Sequence, residues 1–355
     1  MNKSVYEVLD KIERTGYQAY LVGGYPRDCY LGRKTNDFDM CTNAKPEHLK
    51  SLFSDILEEN YGSLKIKYKD VLLEITTFRL EQDYIPPRAP VITYTDSLEK
   101  DLQRRDFIIN TLCMDKEEKY IDILGARKNL DNRIIKVVGN ASKKMKEDPL
   151  RILRAVRFAT VLDFKIDDNL KEAIIENKKS LLALSYYRKK EELDKIFLSP
   201  NCYLGIELLK EYGLDKFLEC DFSKIIVIPN LEAMWAQIKC SSQYPFTKIE
   251  RKRIAIIRHF LSKGAIEDID LYYYDLDLML VVATILGIDL KNIKEKYASL
   301  PIKSRKDINV EISFLQAISK KDINSIFSLL EEQIISQRLK NDSESIETYL
   351  KEYFK

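Results

Sequence analysis

The sequence predicts an α+β chain, a small mixed α/β head followed by an all-helical neck, body and tail. Three observations carry that reading. Up to about residue 138, period-two apolar runs (71–78, 107–114 and 120–123) are interleaved with amphipathic helical stretches (5–15 and 46–57). From residue 143 the period-two signal fades and helical periodicity takes over, with Pro and Gly mostly at boundaries. Segments 202–212, 276–286, 313–317 and 326–338 continue it, the first closed by Gly213 at a C-cap position. No internal repeat or low-complexity tract is present.

Taken in order, the first chemistry-bearing stretch is residues 18–39. Residues 18–22 read as a short strand, Gly23-Gly24 as a tight turn, and residues 25–31 as a helix stopped by Gly32. A glycine turn feeding a helix N-terminus offers backbone N–H groups to an anion, and Arg27 adds charge. In Asp37-Phe38-Asp39 the two carboxylates are two apart, so on a strand they share a face. Hard oxygen ligands so placed can hold Mg²⁺ together with substrate phosphates. Each half of this pattern is common; at this spacing the two together point to nucleotide chemistry. Glu74, on the 71–78 strand, is the candidate third carboxylate, the alternative being a surface glutamate on an edge strand. The stretch 84–90, with three prolines, reads as a loop.

Arg104-Arg105-Asp106 follows. Adjacent guanidinium groups can grip triphosphate oxygens bidentately while the acid accepts from a ribose hydroxyl. A salt-bridge cluster at a strand entrance is the alternative. Asn110 is a candidate for a further sugar contact. In Glu147-Asp148-Pro149-Leu150-Arg151, Pro149 suits a first helical position and makes Asp148 the N-cap. Asp148 and Arg151 then lie on one face. An acceptor beside a donor matches the amine and ring nitrogen of cytosine and of adenine. Uracil and guanine present the reverse, and each unpaired buried group costs ~1–3 kcal/mol. Alternatively, Asp148 only caps its helix and Arg151 pairs with Glu147. Arg154 and Arg157 continue at i+3 spacing, suited to phosphate binding or to surface ion pairs.

These motifs, in this order, resemble the class II tRNA nucleotidyltransferases (CCA-adding enzymes) and related bacterial poly(A) polymerases, within the DNA polymerase β-like nucleotidyltransferase superfamily. Leu-Val-Gly-Gly-x-x-Arg-Asp through Asp37-x-Asp39, the run from Asp101 to Asn110, and the run from Glu147 to Phe158 carry the resemblance. It is dense over roughly the first 200 residues. It implies a catalytic nucleotidyltransferase head (1–138), a neck for base recognition (139–197), and a body (198–270) and tail (271–355) that bind tRNA. It implies template-independent addition of CCA to tRNA 3′ ends from CTP and ATP, by two-metal Mg²⁺ chemistry that releases pyrophosphate. Asp37 and Asp39 would be the metal ligands, Arg104-Arg105-Asp106 the ribose motif, and Asp148 and Arg151 the base selectors. A poly(A) polymerase, an A-only or CC-only enzyme, or an inactive RNA-binding homologue are the alternatives. The loop the family needs for terminal adenosine keeps Tyr84, Arg88 and Pro90 but has Pro86 where an acid is expected. In the neck motif Ser185 to Leu193, Tyr187 replaces a glutamate, and Arg188 and Glu192 form an i,i+4 pair read as a brace.

Composition sets the remaining bounds. The 355 residues, 45% hydrophobic and 32% charged, suit an ordinary folded protein of several modules. Net charge is +2, so any RNA surface must come from local clusters such as 248–253 and 301–306. Six scattered cysteines and two histidines make no zinc pattern and suit reduced thiols in the cytoplasm. Neither His48 nor His259 is followed by Asp, so no His-Asp hydrolase module is expected. The opening residues are polar, and the longest apolar run, 278–288, is short of the ~20 residues needed to span a bilayer. No membrane contact and no obligate protein partner are expected.

Overall fold

Side-chain alternation along the strands builds the first part of the molecule. The structure, a computed structural model, describes residues 2–82, 91–318 and 323–354. The chain opens with α1 (Lys3–Glu13), β1 (Ala19–Val22), α2 (Gly24–Tyr30), β2 (Phe38–Thr42) and α3 (Pro46–Leu52). Then come β3 (Ile56–Asn60), β4 (Ser63–Tyr68), β5 (Val71–Thr77), β6 (Arg79–Gln82), β7 (Val91–Tyr94) and α4 (Leu98–Arg104). Two short strands, β8 (Cys113–Met114) and β9 (Tyr120–Ile121), complete a seven-stranded sheet of order β3-β4-β5-β2-β1-β8-β9. It is mixed: β2 and β5 run parallel and the other neighbours antiparallel.

In β5, Val71, Leu73, Ile75 and Thr77 are buried while Leu72 and Glu74 are exposed. The apolar members of that set pack with Phe38 and Met40 of β2 against Val5, Val8, Leu9 and Ile12 of α1. Because side chains alternate, Asp39 leaves β2 on the other face, away from that core. Cys41, Val22 and Phe78 pack there with Leu98 and Leu102 of α4.

Helices then dominate. After α5 (Ala126–Asp131) and β10 (Ile134–Ile135) come α6 (Ala141–Glu147), α7 (Leu150–Leu162), β11 (Lys165–Ile166) and α8 (Asp168–Asn177). The next two are α9 (Tyr186–Phe197) and α10 (Cys202–Glu211). In α10, a Cβ on Gly205 would lie 2.5 Å from Ile196 and 2.7 Å from Thr160, so only glycine lets it sit this close to α7 and α9.

The chain divides into two compact units, Met1–Ser223 with Cys240–Pro245, and Lys224–Lys239 with Phe246–Lys355. The second is helical. Its longest helix, Lys248–Lys263, opens on a capping box made by Thr247 and Glu250. Ile254, Ile257 and Phe260 from that helix are buried, as are Met279, Val282, Leu330 and Leu350 elsewhere in this unit. Glu331, 1% exposed, accepts from the Tyr272 and Tyr273 hydroxyls (2.9 and 2.8 Å) and from Arg305 Nε (2.7 Å). Arg305 of the 301–306 basic cluster is thereby committed to the fold. Among the described residues, no helix is long and apolar enough to cross a membrane.

Two local expectations are corrected, and one alternative reading is removed. The helix expected over 46–57 stops at Leu52, because Phe53 turns extended and the chain enters β3. The strand expected over 107–114 survives only as Cys113–Met114. Ile108–Asn110 is a 3₁₀ turn, because Asp106 draws both the Phe107 N–H (2.8 Å) and Asn110 Nδ2 (3.2 Å) onto one carboxylate oxygen. Glu74 lies on β5, which is flanked on both sides by other strands and is no edge. The 84–90 loop, with Tyr84, Pro86, Arg88 and Pro90, lies outside the described residues.

Candidate active site

The site begins where β1 turns into α2. Gly23 sits at φ 81°, ψ −120°, a conformation that a Cβ would strain. A Cβ built there would be 3.7 Å from Asp39 Oδ2, so the turn backbone abuts this carboxylate. Asp37 lies just ahead of β2 and is exposed, whereas Asp39 lies within it and is half-buried. Glu74 is the direct register partner of Asp39 across the parallel β2–β5 pair. Burial, then the neighbouring Asp37 and Glu74 charges, push the Asp39 carboxyl up to about 6, against a weaker pull from Arg105 and Arg154.

Crowded carboxylates of this kind favour a cation. Asp37 and Asp39 offer hard oxygen donors, and Mg²⁺ is held by one or two carboxylates with phosphate oxygens and water supplying the rest. The pair therefore fits such an ion. Among the described residues no three His, Cys, Asp or Glu side chains come together as a metal-ligand set.

Facing the carboxylates is a cluster of guanidinium groups organised by one ring. The Phe158 ring of α7 has Arg157 at 4.4 Å, Arg27 at 5.3 Å and Arg154 at 5.4 Å from its centroid. Each arginine is also tethered. Arg27 donates to Asp28 Oδ1 (2.9 Å) and Asn110 Oδ1 (2.7 Å), Arg154 Nε to Asp106 Oδ2 (2.7 Å), and Arg157 Nε lies 3.1 Å from Glu192 Oε2. The Arg157–Glu192 contact lacks hydrogen-bond geometry, so it holds through charge alone.

Asp106 is buried, which alone would raise its pKa. The Arg154 charge and the donors on both oxygens override that and hold it at about 2. Phe107 N–H, Asn110 and Arg154 thus occupy three of the roughly four acceptor positions of this carboxylate. Arg105 Nη2 donates to the fully buried Asp101 (3.2 Å), which also accepts from Arg104 Nε (2.8 Å) and the Arg79 backbone N–H (3.1 Å). Arg104 turns away to Glu81 at 3.0 Å.

A cavity of about 600 Å³ gathers most of these groups. Gly23, Gly24, Arg27, Asp37, Asp39, Arg105, Asp106 and Asn110 line one part of it, and Arg154, Arg157 and Phe158 another. Glu74, Arg104, Asp148 and Arg151 are not among the lining residues.

Asp148 and Arg151 lie on the same run of chain, one turn and more before Arg157. Asp148 is extended and its Oδ1 accepts the Leu150 N–H (3.1 Å), an N-cap contact, with Pro149 already helical. Its carboxylate also faces Arg188 Nη2 at 3.4 Å. Arg151 Nη1 donates to Glu147 Oε2 (2.9 Å) and to the Lys144 carbonyl (3.0 Å). The brace expected between Arg188 and Glu192 along α9 is replaced by two ion pairs, Arg188 to Asp148 just ahead of α7 and Glu192 to Arg157 within it. Spacing showed that these side chains share a face; it could not show that both prefer a partner on another element. Lys195, Leu198, Ser199 and Pro200 also line the cavity. No motif pointed to them, since they follow the neck motif and reach the site only through helix packing.

The chain as a whole is similar to known proteins. Three family models match in chain order: the poly(A) polymerase head domain at residues 19–136, the probable RNA and SrmB-binding site of polymerase A at 163–219, and tRNA nucleotidyltransferase domain 2 at 231–350. A CCA-adding enzyme of Lactobacillus delbrueckii subsp. bulgaricus is 30% identical over 97% of this chain and 96% of its own. One of Ligilactobacillus salivarius is 31% identical over 96% and 94%. Among solved structures, a Bacillus stearothermophilus CCA-adding enzyme in complex with CTP superposes with a TM-score of 0.85 at 25% identity, over 99% of this chain and 98% of that one. A Thermotoga maritima CCA-adding enzyme complexed with tRNA shares the fold, with a TM-score of 0.69 at 18% identity, over 99% and 95%.

Proposed function

The chain belongs to the CCA-adding enzyme family, and on that premise we propose that it completes tRNA 3′ ends with C, C and A. CTP and ATP are the substrates, pyrophosphate the leaving product, and no nucleic-acid template is used. The observation that carries this reading is the cavity in which the Asp37/Asp39 pair meets Arg27, Arg105, Arg154 and Arg157. A carboxylate pair with hard oxygens opposite several guanidinium groups is what a metal-bound triphosphate requires.

Asp37 and Asp39 would hold Mg²⁺, which would supply charge neutralisation at the phosphates and a lowered pKa for the attacking hydroxyl. The chain's own residues do the rest. Gly23 and Gly24 let the turn backbone approach phosphate without steric cost. Arg27 and Arg157 neutralise phosphate charge, pre-set against Phe158 so that little ordering entropy is spent on binding. Asp106, ionised at neutral pH, orients Arg154 and Asn110 toward the sugar. Glu74 acts on the reaction through the charge state of Asp39.

Asp148 and Arg151 select the base. In the free protein Asp148 faces Arg188 and Arg151 is bonded to Glu147. Cytosine or adenine meets the pair with its amine toward Asp148 and its ring nitrogen toward Arg151. Asp148 keeps its cap through one oxygen and presents the other. Exposed cations of the helical second unit hold the tRNA backbone.

The test is product sizing. The protein is incubated with Mg²⁺ and tRNA ending before CCA, with CTP and ATP together and each nucleotide alone. Addition of three nucleotides that then stops, with no incorporation of UTP or GTP, is the expected result. A lengthening adenosine ladder would make the chain a poly(A) polymerase, and a stop after two cytidines a CC-only enzyme.

A further inference from the structure

The cavity is longer than the motifs account for. Its lining charges are Arg27, Arg105, Arg154, Arg157 and Lys195 against Asp37, Asp39 and Asp106, five cations to three carboxylates. Four of the cations are guanidinium groups tethered to acids within 3.2 Å. Lys195 is different. Its ammonium group lies 4.0 Å from Glu192 Oε1, beyond hydrogen-bond distance, and its side chain is 54% exposed. It carries a cation into the cavity that can move.

Its place follows from the order of side chains on α7. A helix rises 1.5 Å per residue, so from Leu150, the first residue of α7, to Arg157 the chain advances roughly 10 Å. Base-selecting residues stand at 148 and 151. Arg154, bonded to Asp106 at the proposed sugar position, comes next, and Arg157 after it. Arg157 shares the Phe158 ring with Arg27 of the glycine turn, which puts it at the phosphate end of the cavity. Glu192, only 4% exposed, holds Arg157 on one oxygen and faces Lys195 with the other. The two cations therefore stand side by side at that end, in a cavity wall that also includes Val161 and Leu198.

We propose that Lys195 binds the terminal phosphate of the incoming nucleotide and then the departing pyrophosphate, with Glu192 positioning it beside Arg157. This deepens, and rests on, the nucleotidyl-transfer reading above. In that reaction the 3′-oxygen bonds to the α-phosphorus, the bond to the β-phosphate oxygen breaks, and the hydroxyl proton leaves to solvent. The β- and γ-phosphates depart with the extra charge. A mobile ammonium group suits that role, since it can follow the product outward, whereas a packed guanidinium cannot.

Lys195→Met keeps the stem and removes the charge, and Lys195→Arg restores a cation. Two measurements decide. In equilibrium binding, the wild type should hold CTP more tightly than CMP, and Lys195→Met should lose about tenfold in CTP affinity with CMP unchanged. In steady state, Lys195→Met should raise KM for CTP and ATP and weaken product inhibition by pyrophosphate by a similar factor. KM for tRNA should stay within about twofold, and Lys195→Arg should recover most of the loss. A raised KM for tRNA with unchanged CTP affinity would assign Lys195 to the RNA backbone instead and overturn the proposal. So would wild-type behaviour in every assay. If the wild-type protein itself adds no nucleotide to tRNA, the underlying reading fails; normal CCA addition with an indifferent Lys195→Met fails this proposal alone.

Discussion

At the scale of single residues, the charge state of Asp39 decides most. Its folded pKa of about 6 stands above the ordinary value of 3.8, raised first by burial and then by Asp37 and Glu74. In the metal-free fold its protonated form therefore stabilises the protein fully below about pH 4, and that contribution is lost as pH rises through 6. Asp39→Asn, melted in chelator, should gain about 3 kcal/mol over wild type at pH 8 and nothing at pH 4. The same substitution should cut nucleotide incorporation by at least about a hundredfold, because the proposed metal ligand is removed. On the proposed reading protons and Mg²⁺ compete for this carboxylate, so the wild-type Mg²⁺ concentration for half-maximal activity should climb as pH falls from about 7 to about 5.5. A flat response would show that Asp39 binds no metal. Gly23 is the second decisive residue. At φ 81°, an alanine there should cost roughly 1–3 kcal/mol of stability. It should also raise KM for CTP, since the shifted turn would move against Asp39.

Elements show where sequence reasoning ran out. The β1 turn, α2 and α7 were legible because glycine, proline and capping residues act within a few positions of themselves. The 107–114 segment was not, because its alternation suits a strand while Asp106, at its edge, closes it into a turn. Charge partners were the least legible part of the site. Arg188 and Glu192 stand four apart, so spacing alone pairs them, yet each reaches across to α7 or its cap. That choice depends on how closely α9 lies to α7, which spacing along one helix does not encode. It also gives α7 and α9 a joint function, the presentation of Arg157. Glu192→Gln removes the anion from a buried pair and leaves the Arg157 charge uncompensated. It should destabilise the protein by about 3 kcal/mol, read from the urea midpoint at constant m. Loss of activity without loss of stability would place Glu192 in chemistry rather than in the α7–α9 packing.

For the whole molecule, the question is how a chain of net charge +2 holds a polyanion. Global attraction is negligible at that charge, so RNA affinity must come from local clusters that release counterions. The two basic clusters are not equivalent. In 301–306, Arg305 is spent on the buried Glu331. In the first turns of the helix Lys248–Lys263, Lys248, Arg251 and Lys252 are exposed, while Arg253 lies 3.8 Å from Glu232. Phosphate binding at the start of this helix should therefore run through three of the four cations there. Replacing Lys248, Arg251 and Lys252 together with alanine should weaken tRNA binding and reduce the slope of log affinity against log salt by about two to three, one for each phosphate no longer neutralised. CTP affinity should be unchanged, because none of the three lines the cavity. A triple variant with the wild-type salt slope would move the RNA path elsewhere on the molecule. One with reduced CTP affinity as well would show that the substitutions had damaged the fold. A melting temperature matched to wild type at low salt excludes that damage and leaves phosphate neutralisation as the cause of the weakened tRNA binding.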